Sequence, residues 1–369
     1  MDGMQATTRR SFLRTSGMAA LAGTATLAAR HARAQDTLKV AMIGNRGHHG
    51  YVLTGLEAMP DRLRLVGVAD GAPDDPATKL VEWAEKNNQK PEVFDDYRKM
   101  LDTVKPDIVT VCGPFELHAQ MCIDAFERGI PAFCEKLAAT TIPDYKRLKA
   151  AQEKAGVHFA AMMNLRFDNA FYSAWRAVRE GAIGDIRLVQ AQKSYVLGDR
   201  GEYYKKRETS SGLICWVGSH AMDAIYYFCQ APFQRVAAVQ SRVGNQGLGD
   251  LEMTAQCQFL LAGEIAATAS LDYLRPAKAG THGDDRIRVA GTTGVVEVRD
   301  GKAYLANDKT DGVQELPGKC ETDVFKDFVD HIQGKAKAIQ MPQDVFAVTE
   351  ACLLAREAAD TGKIMTFPA

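Results

Sequence analysis

Leu38-Lys39-Val40-Ala41-Met42-Ile43-Gly44-Asn45-Arg46-Gly47-His48-His49-Gly50 runs from a block of β-forming residues straight into a glycine-rich loop. Apolar positions with helical spacing follow over 51–59, so the stretch predicts strand, tight turn and helix. A second β-forming run, Leu63–Ala69, ends on Asp70. In a dinucleotide-binding fold the backbone N–H groups at the helix start receive the pyrophosphate. An acid at the tip of the second strand accepts hydrogen bonds from the adenosine ribose. Strand, glycines, helix, strand and acid in that order say much more than the glycines alone.

The alternation continues. β-Forming runs at 107–112, 130–134 and 157–163 are separated by helical spacing at 116–128 and 143–155. Strands alternating with helices predict an α/β fold with a doubly wound parallel sheet. Such sheets bind ligands beyond the carboxyl ends of their strands, which singles out Gly113-Pro114 and Glu135-Lys136. Beyond Arg166 helical spacing over 171–180 gives way to strand-like alternation at Ile186–Tyr195, 235–243, 253–259, 264–271 and 286–298. A late helix at 344–359 is expected to pack back between the two halves, with Cys352 and Leu353-Leu354 structural.

Ahead of the nucleotide loop, Thr8-Arg9-Arg10-Ser11-Phe12-Leu13-Arg14 resembles a twin-arginine export signal. The apolar segment 17–29 is long enough for a signal but short of the roughly 20 residues that span a bilayer. Ala32-Arg33-Ala34 supplies a small-residue cleavage site, and no cysteine precedes Cys112, which excludes a lipid attachment there. The expectation is a signal over 1–34, a dinucleotide-binding domain over 35–160 and a second domain over 161–369. The mature chain would pass through the twin-arginine translocase, already folded, into the periplasm. Outside the cytosol it would have to keep its cofactor bound and regenerate it within its own cycle.

Composition excludes other classes. The 369 residues are 46% hydrophobic and 25% charged with a formal net charge of −1, ordinary for a globular protein. Without a long basic run there is no footprint for nucleic acid, and no second apolar stretch would hold the mature chain in a membrane. The eight cysteines form no C-x-x-C pair or zinc-spaced cluster, so no metal site is expected and most should be small buried hydrophobes.

These pieces together resemble the glucose-fructose oxidoreductase, inositol dehydrogenase and rhizopine catabolism family (Gfo/Idh/MocA). The matching motifs are the glycine loop, Asp70, Asp95-Asp96-Tyr97, Pro114 with His118, Glu135-Lys136, Leu165-Arg166-Phe167, Gly181-Ala182-Ile183-Gly184, Gly218-Ser219-His220 with Asp223, and Asp285-Arg286-Ile287-Arg288-Val289 leading into Gly291-Thr292-Thr293-Gly294. The resemblance implies an N-terminal Rossmann domain, a C-terminal α/β domain on a large, mostly antiparallel sheet, an active site between them, and a homo-oligomer. It implies cofactor contacts from Gly44, Asn45, Arg46, Gly47, His48, Gly50, Asp70, Pro114, His118, Glu135, Lys136 and Arg166.

Three departures from the family pattern matter. Arg46 stands where a second glycine is usual, or the loop carries one extra residue. Gly71-Ala72 after Asp70 offers no basic partner for a 2′-phosphate, which favours NAD over NADP. The family's Glu-Lys-Pro is Glu135-Lys136-Leu137. Finally, Trp216 replaces the Asp that commonly stands four residues before the histidine matching His220. Chemically, the His220 imidazole can accept a hydroxyl proton as hydride leaves the same carbon, and a Lys136 ammonium can steady the developing alkoxide. The polar stretch 198–212, with Tyr203 and Tyr204, is expected to wall a cleft for a hydroxyl-rich ligand such as a sugar, joined by Trp216, Tyr273 and Arg275. The expected activity is NAD-dependent oxidoreduction of a sugar or cyclitol derivative. Redox-assisted glycoside cleavage and non-catalytic dinucleotide or sugar binding are the alternatives.

Overall fold

The computed structural model describes residues 37–368; the export signal and cleavage site expected over 1–34 lie outside the described residues. Among the described residues two sheets form. The first takes β1 (Leu38–Ile43), β2 (Leu63–Ala69), β3 (Glu92–Phe94), β4 (Ile108–Val111), β5 (Ala132–Cys134) and β6 (Phe159–Ala161) in the order β3-β2-β1-β4-β5-β6. All its pairs are parallel. The crossovers are α1 (Gly50–Ala58), α2 (Thr78–Lys86), α3 (Tyr97–Val104), α4 (His118–Glu127) and α5 (Ile142–Ala155). Strands β1, β4 and β5 are near-continuous apolar runs because both faces are covered by helices, so every side chain of β4 is buried. The strand order reverses between β1 and β4, which opens a crevice at their carboxyl ends.

The second sheet is built on β7 (Ile186–Tyr195), β8 (Phe233–Ser241), β9 (Thr254–Leu261), β10 (Ile265–Asp272), β11 (Gly283–Gly291), β12 (Gly294–Arg299), β13 (Lys302–Asn307), β14 (Gln314–Leu316) and β15 (Met365–Thr366). Its order is β14-β13-β12-β11-β7-β10-β9-β8-β15, antiparallel except for β10 beside β7. Burial alternates along β9 and β10, the mark of a sheet covered on one face. That cover comes from α6 (Asn169–Arg179) over β12 and β13, and from two helices that follow the tyrosine segment after the short turns α7 (Arg207–Ser210) and α8 (Gly212–Trp216). These are α9 (Gly218–Cys229) over β7 and β10 and, past α10 (Val324–Ile332), α11 (Pro342–Thr361) over β8. The fold is thus the expected parallel Rossmann sheet followed by a mostly antiparallel one.

Two details differ from the sequence pattern. The single run expected at 286–298 is two strands joined through Gly291-Thr292-Thr293-Gly294. A Cβ at Gly291 would stand 2.1 Å from the Ile183 carbonyl oxygen, so only glycine lets the hairpin fold against that loop. Helix α10 returns to the first sheet, setting Phe325 and Phe328 against Phe133. The late helix α11 touches α5 and β6 as well as α9 and β8, fastening the halves together, with Cys352 and Leu353 buried. All eight cysteines are free thiols, six of them buried. No helix among the described residues is long and apolar enough to cross a membrane.

Candidate active site

The glycine loop leaves β1 at the switch point, pinned by Gly44 N–H to Ala69 O at 2.9 Å and Arg46 N–H to Cys112 O at 2.7 Å. Gly44 has φ +70°, and a Cβ there would lie 2.7 Å from both the Cys112 carbonyl and Gly113 Cα. Helix α1 then starts with no side chain capping it and no acid in its first turn. The Tyr51 and Val52 N–H groups bond back to the His48 and His49 carbonyls at 3.0 Å, but no side chain occupies the helix start, so the positive end of its dipole with the glycine loop fits the pyrophosphate of a dinucleotide. Asp70 Oδ1 accepts the Ala77 N–H at 2.8 Å, which holds the carboxylate at the tip of β2. Asn45 ties the two turns by donating to Pro76 O at 2.6 Å.

Arg46 is committed elsewhere than a phosphate. Its guanidinium donates to Asp74 at 3.0 Å, lies 3.7 Å from Asp75 and sits over the Tyr203 ring at 5.2 Å. Asp75 is buried beside Gly44 and Gly71, and burial, against the pull of Arg46, pushes its carboxyl up to about 6. Asp70, Asp74 and Asp75 thus lie close enough to bear on one another just past β2, with Arg46 already paired. That arrangement disfavours a 2′-phosphate and accords with NAD.

The second wall of the crevice is the carboxyl end of β5. Glu135 is fully buried and receives His48 twice, from the backbone N–H at 3.2 Å and from the ring Nδ1 at 2.9 Å. Gly47 makes this possible, because a Cβ there would fall 2.6 Å from the Glu135 carboxyl carbon. Burial opposes the charge on Glu135, but His48 and Lys136 outweigh it and keep the carboxyl below its ordinary range. His48 therefore faces the reaction centre: its ring stacks on Tyr51 at 5.5 Å and meets the His220 ring edge-on at 6.0 Å.

Lys136 is 2% exposed. Its Nζ donates to the Trp216 carbonyl at 2.9 Å, lies 3.2 Å from the centre of the indole ring and 3.9 Å from Glu135 Oε1. Burial brings its pKa down to about 7; Glu135 resists this, and Lys193 and Arg200 add to it. The Lys136–Leu137 peptide is cis. His220 comes from α9 in the second domain, equally buried, and neither ring nitrogen has a partner. Burial first, then Lys193, Lys136 and His48, hold its pKa well below the usual value, so the ring is neutral.

Several expected contacts take other roles. The Trp216 indole is covered by the Lys136 ammonium and packed by Phe115 at 4.3 Å, so it seats the lysine and leaves no face for a sugar ring. His118 is buried with Nδ1 2.9 Å from Leu137 O and Nε2 3.0 Å from Gly113 O; it braces the two loops from behind. Arg166 does not reach the crevice. It pairs with Asp223 at 2.6 Å and Asp344 at 2.9 Å, locking α9 to α11. Arg275 is spent on Thr281 and on Asp284 at 3.4 Å. Tyr203 and Tyr204 pack against each other, ring centres 4.3 Å apart, and edge-on to Phe115. Tyr273 is buried beneath Arg200, and Pro114 opens the turn after β4. Gly50 begins α1 with open space around it.

Three residues in this cluster are not singled out as site residues by the sequence: Lys193, Arg200, which lies within the polar stretch 198–212, and Asp285, which belongs to one of the matching motifs. Lys193 occupies the inward phase of β7 with Val189 and Ala191 and pairs across the strands with Asp285. A lysine on the buried phase of an alternating strand was the available signal. Among the described residues no cluster of ligands that could hold a metal forms.

A parallel sheet of this order, an uncapped helix at its switch point and a buried lysine with histidine facing it define a dinucleotide-dependent oxidoreductase. Residues 38–163 match the oxidoreductase family with NAD-binding Rossmann fold, and residues 171–297 match the GFO/IDH/MocA C-terminal domain. The chain belongs to the Gfo/Idh/MocA family: it is an oxidoreductase whose first domain binds NAD. A putative oxidoreductase from Thermotoga maritima has a similar structure, with TM-score 0.84 and 41% identity, covering 89% of this chain and all of that one. The uncharacterized oxidoreductase YrbE of Bacillus subtilis is 28% identical over 59% of this chain, a match spanning 62% of that relative's length. The D-glucoside 3-dehydrogenase of Escherichia coli is 24% identical over 90% of this chain and 98% of its own.

Proposed function

We propose that this protein is an exported enzyme that oxidises a hydroxyl-bearing carbon of a sugar or cyclitol derivative and retains its NAD between turnovers. The observation that carries the reading is the buried Lys136, brought to about 7 and set against a neutral, unpartnered His220. NAD, when bound along the glycine loop and Asp70, supplies the hydride acceptor. The chain's own residues manage the proton. With Trp216 in place of an acid, nothing raises the basicity of His220, whereas a lysine near neutrality suits a general base. In this reading Lys136 Nζ takes the hydroxyl proton and keeps it as an ammonium, His220 holds the hydroxyl by hydrogen bonding, and Glu135, 3.9 Å from Nζ and paired with the partly exposed His48, balances the ammonium charge. The sequence-derived roles of the two residues are thereby exchanged.

Sugar chemistry is supported by the cleft's tyrosines and by the dehydrogenase relative that covers most of the chain. Export rests on Arg9, Arg10 and the small-residue site ending at Ala34. Incubating the purified protein, without added cofactor, with free sugars and aryl glycosides and identifying products by mass spectrometry tests the reading. Oxidised or interconverted sugars support it; released aglycone would instead mark redox-assisted cleavage at the same centre. Denatured protein should also release NAD near one per chain. Failure of Arg9→Lys with Arg10→Lys to block export in the native host would remove the periplasmic part.

A further inference from the structure

Beside the lysine–histidine centre, the second domain contributes charges that the proton chemistry does not use. Arg200 is wedged over two tyrosine rings, 5.1 Å from the centre of Tyr204 and 4.6 Å from that of Tyr273. Its guanidinium donates to the Val196 carbonyl at 3.4 Å, and among the described residues its Nε, closed off from solvent, has no acceptor. Among the described residues Arg200 forms no ion pair. Lys193 differs, since Asp285 Oδ2 satisfies it and leaves Asp285 Oδ1 unpartnered. The Tyr273 hydroxyl and both nitrogens of His220, each residue 2% exposed, are unpartnered too. Lys193 lies close enough to His220, and Arg200 to Lys136, for their charges to bear on them.

Buried polar atoms without partners in a native fold call for an explanation, and several of them converging beside a catalytic centre point to a ligand's groups. Sugar hydroxyls would satisfy Tyr273, Asp285 and His220, but they leave the guanidinium charge unbalanced. A carboxylate is the group that matches its planar fork. We propose that the substrate of this site is a sugar acid, its carboxylate received by Arg200 while Lys193, Asp285 and Tyr273 hold neighbouring hydroxyls. This rests on the oxidoreductase reading above for the identity of the cleft and adds the class of substrate.

The test uses the full mature protein saturated with NAD and matched probes: D-glucuronate against D-glucose, D-galacturonate against D-galactose, and 4-nitrophenyl β-D-glucuronide against the corresponding glucoside. Titration calorimetry should give tighter binding of the acid in at least one pair, by about tenfold or more, the scale of a charge-assisted hydrogen bond. Whether the free acids or the aryl uronide show it tells a monosaccharide from a glycoside. Arg200→Gln should shrink the preference below about threefold, with Arg200→Lys retaining part of it. Added salt should weaken the acid and not its neutral partner, a check that needs no variant should Arg200→Gln fail to fold. Equal binding within every pair, no acid bound at all, or a preference unchanged in Arg200→Gln overturns the proposal. Reduction of NAD is read separately: an acid that binds through Arg200 yet is neither oxidised nor cleaved refutes the enzymatic reading and leaves the carboxylate site standing.

Discussion

Replacing Glu135 by glutamine isolates the electrostatics that set the base. Glu135 is the carboxylate paired with Lys136, with Oε1 3.9 Å from Nζ. At that distance two unit charges interact by about 4 kcal/mol at an effective dielectric of ~20, or about 3 pKa units. His48 shares the same carboxylate at 2.9 Å and offsets part of its field, so about 1–2 units is the expected remainder. Removing the anion disfavours the ammonium, so the Lys136 pKa falls below its present value of about 7. Because the amine form is the base, wild-type kcat/KM for sugar oxidation should rise with pH and level off above about 7. In Glu135→Gln that rising limb should move about 1–2 units toward acid, whatever happens to the plateau. The assay is the pH profile of NAD reduction, with NAD affinity measured as a control. A limb that stays in place, or moves toward alkali, would refute the assignment of the proton to Lys136.

Two other variants probe the scaffold. Arg166→Met leaves Asp223 buried without its partner and should lower stability by about 3–5 kcal/mol in denaturant unfolding, with NAD affinity unchanged; a loss under about 1 kcal/mol would mean the pair does not lock α9 to α11. Gly44→Ala forces a Cβ against the Cys112 carbonyl at a φ of +70° and should weaken NAD binding more than about tenfold by calorimetry, whereas unaltered affinity would place the pyrophosphate elsewhere.

What the sequence could show follows from how local each feature is. The glycine loop and Asp70 were legible because each is a backbone requirement written within a few residues of a strand end. The parallel sheet was legible from alternation alone. The short strand Glu92–Phe94 and helix α10 were not, the first being too brief for periodicity and the second belonging to a distant sheet. Arg166 reads toward the cofactor from its motif because its partners, Asp223 and Asp344, lie far along the chain. Trp216 reads from the sequence as a sugar platform because Lys136, whose ammonium covers its face, lies 80 residues away along the chain. Lys193 and Asp285 meet only through the register of β7 with β11, which no single-strand pattern contains.

The central claim is that Lys136 handles the proton while the first domain holds NAD. Lys136→Met protein loaded with NAD and mixed with a sugar that the wild type oxidises tests it directly. The account predicts NAD bound as tightly as in the wild type and reduction slower by ~10²-fold or more, the scale for losing a positioned base. Reduction at the wild-type rate with NAD in place would contradict it.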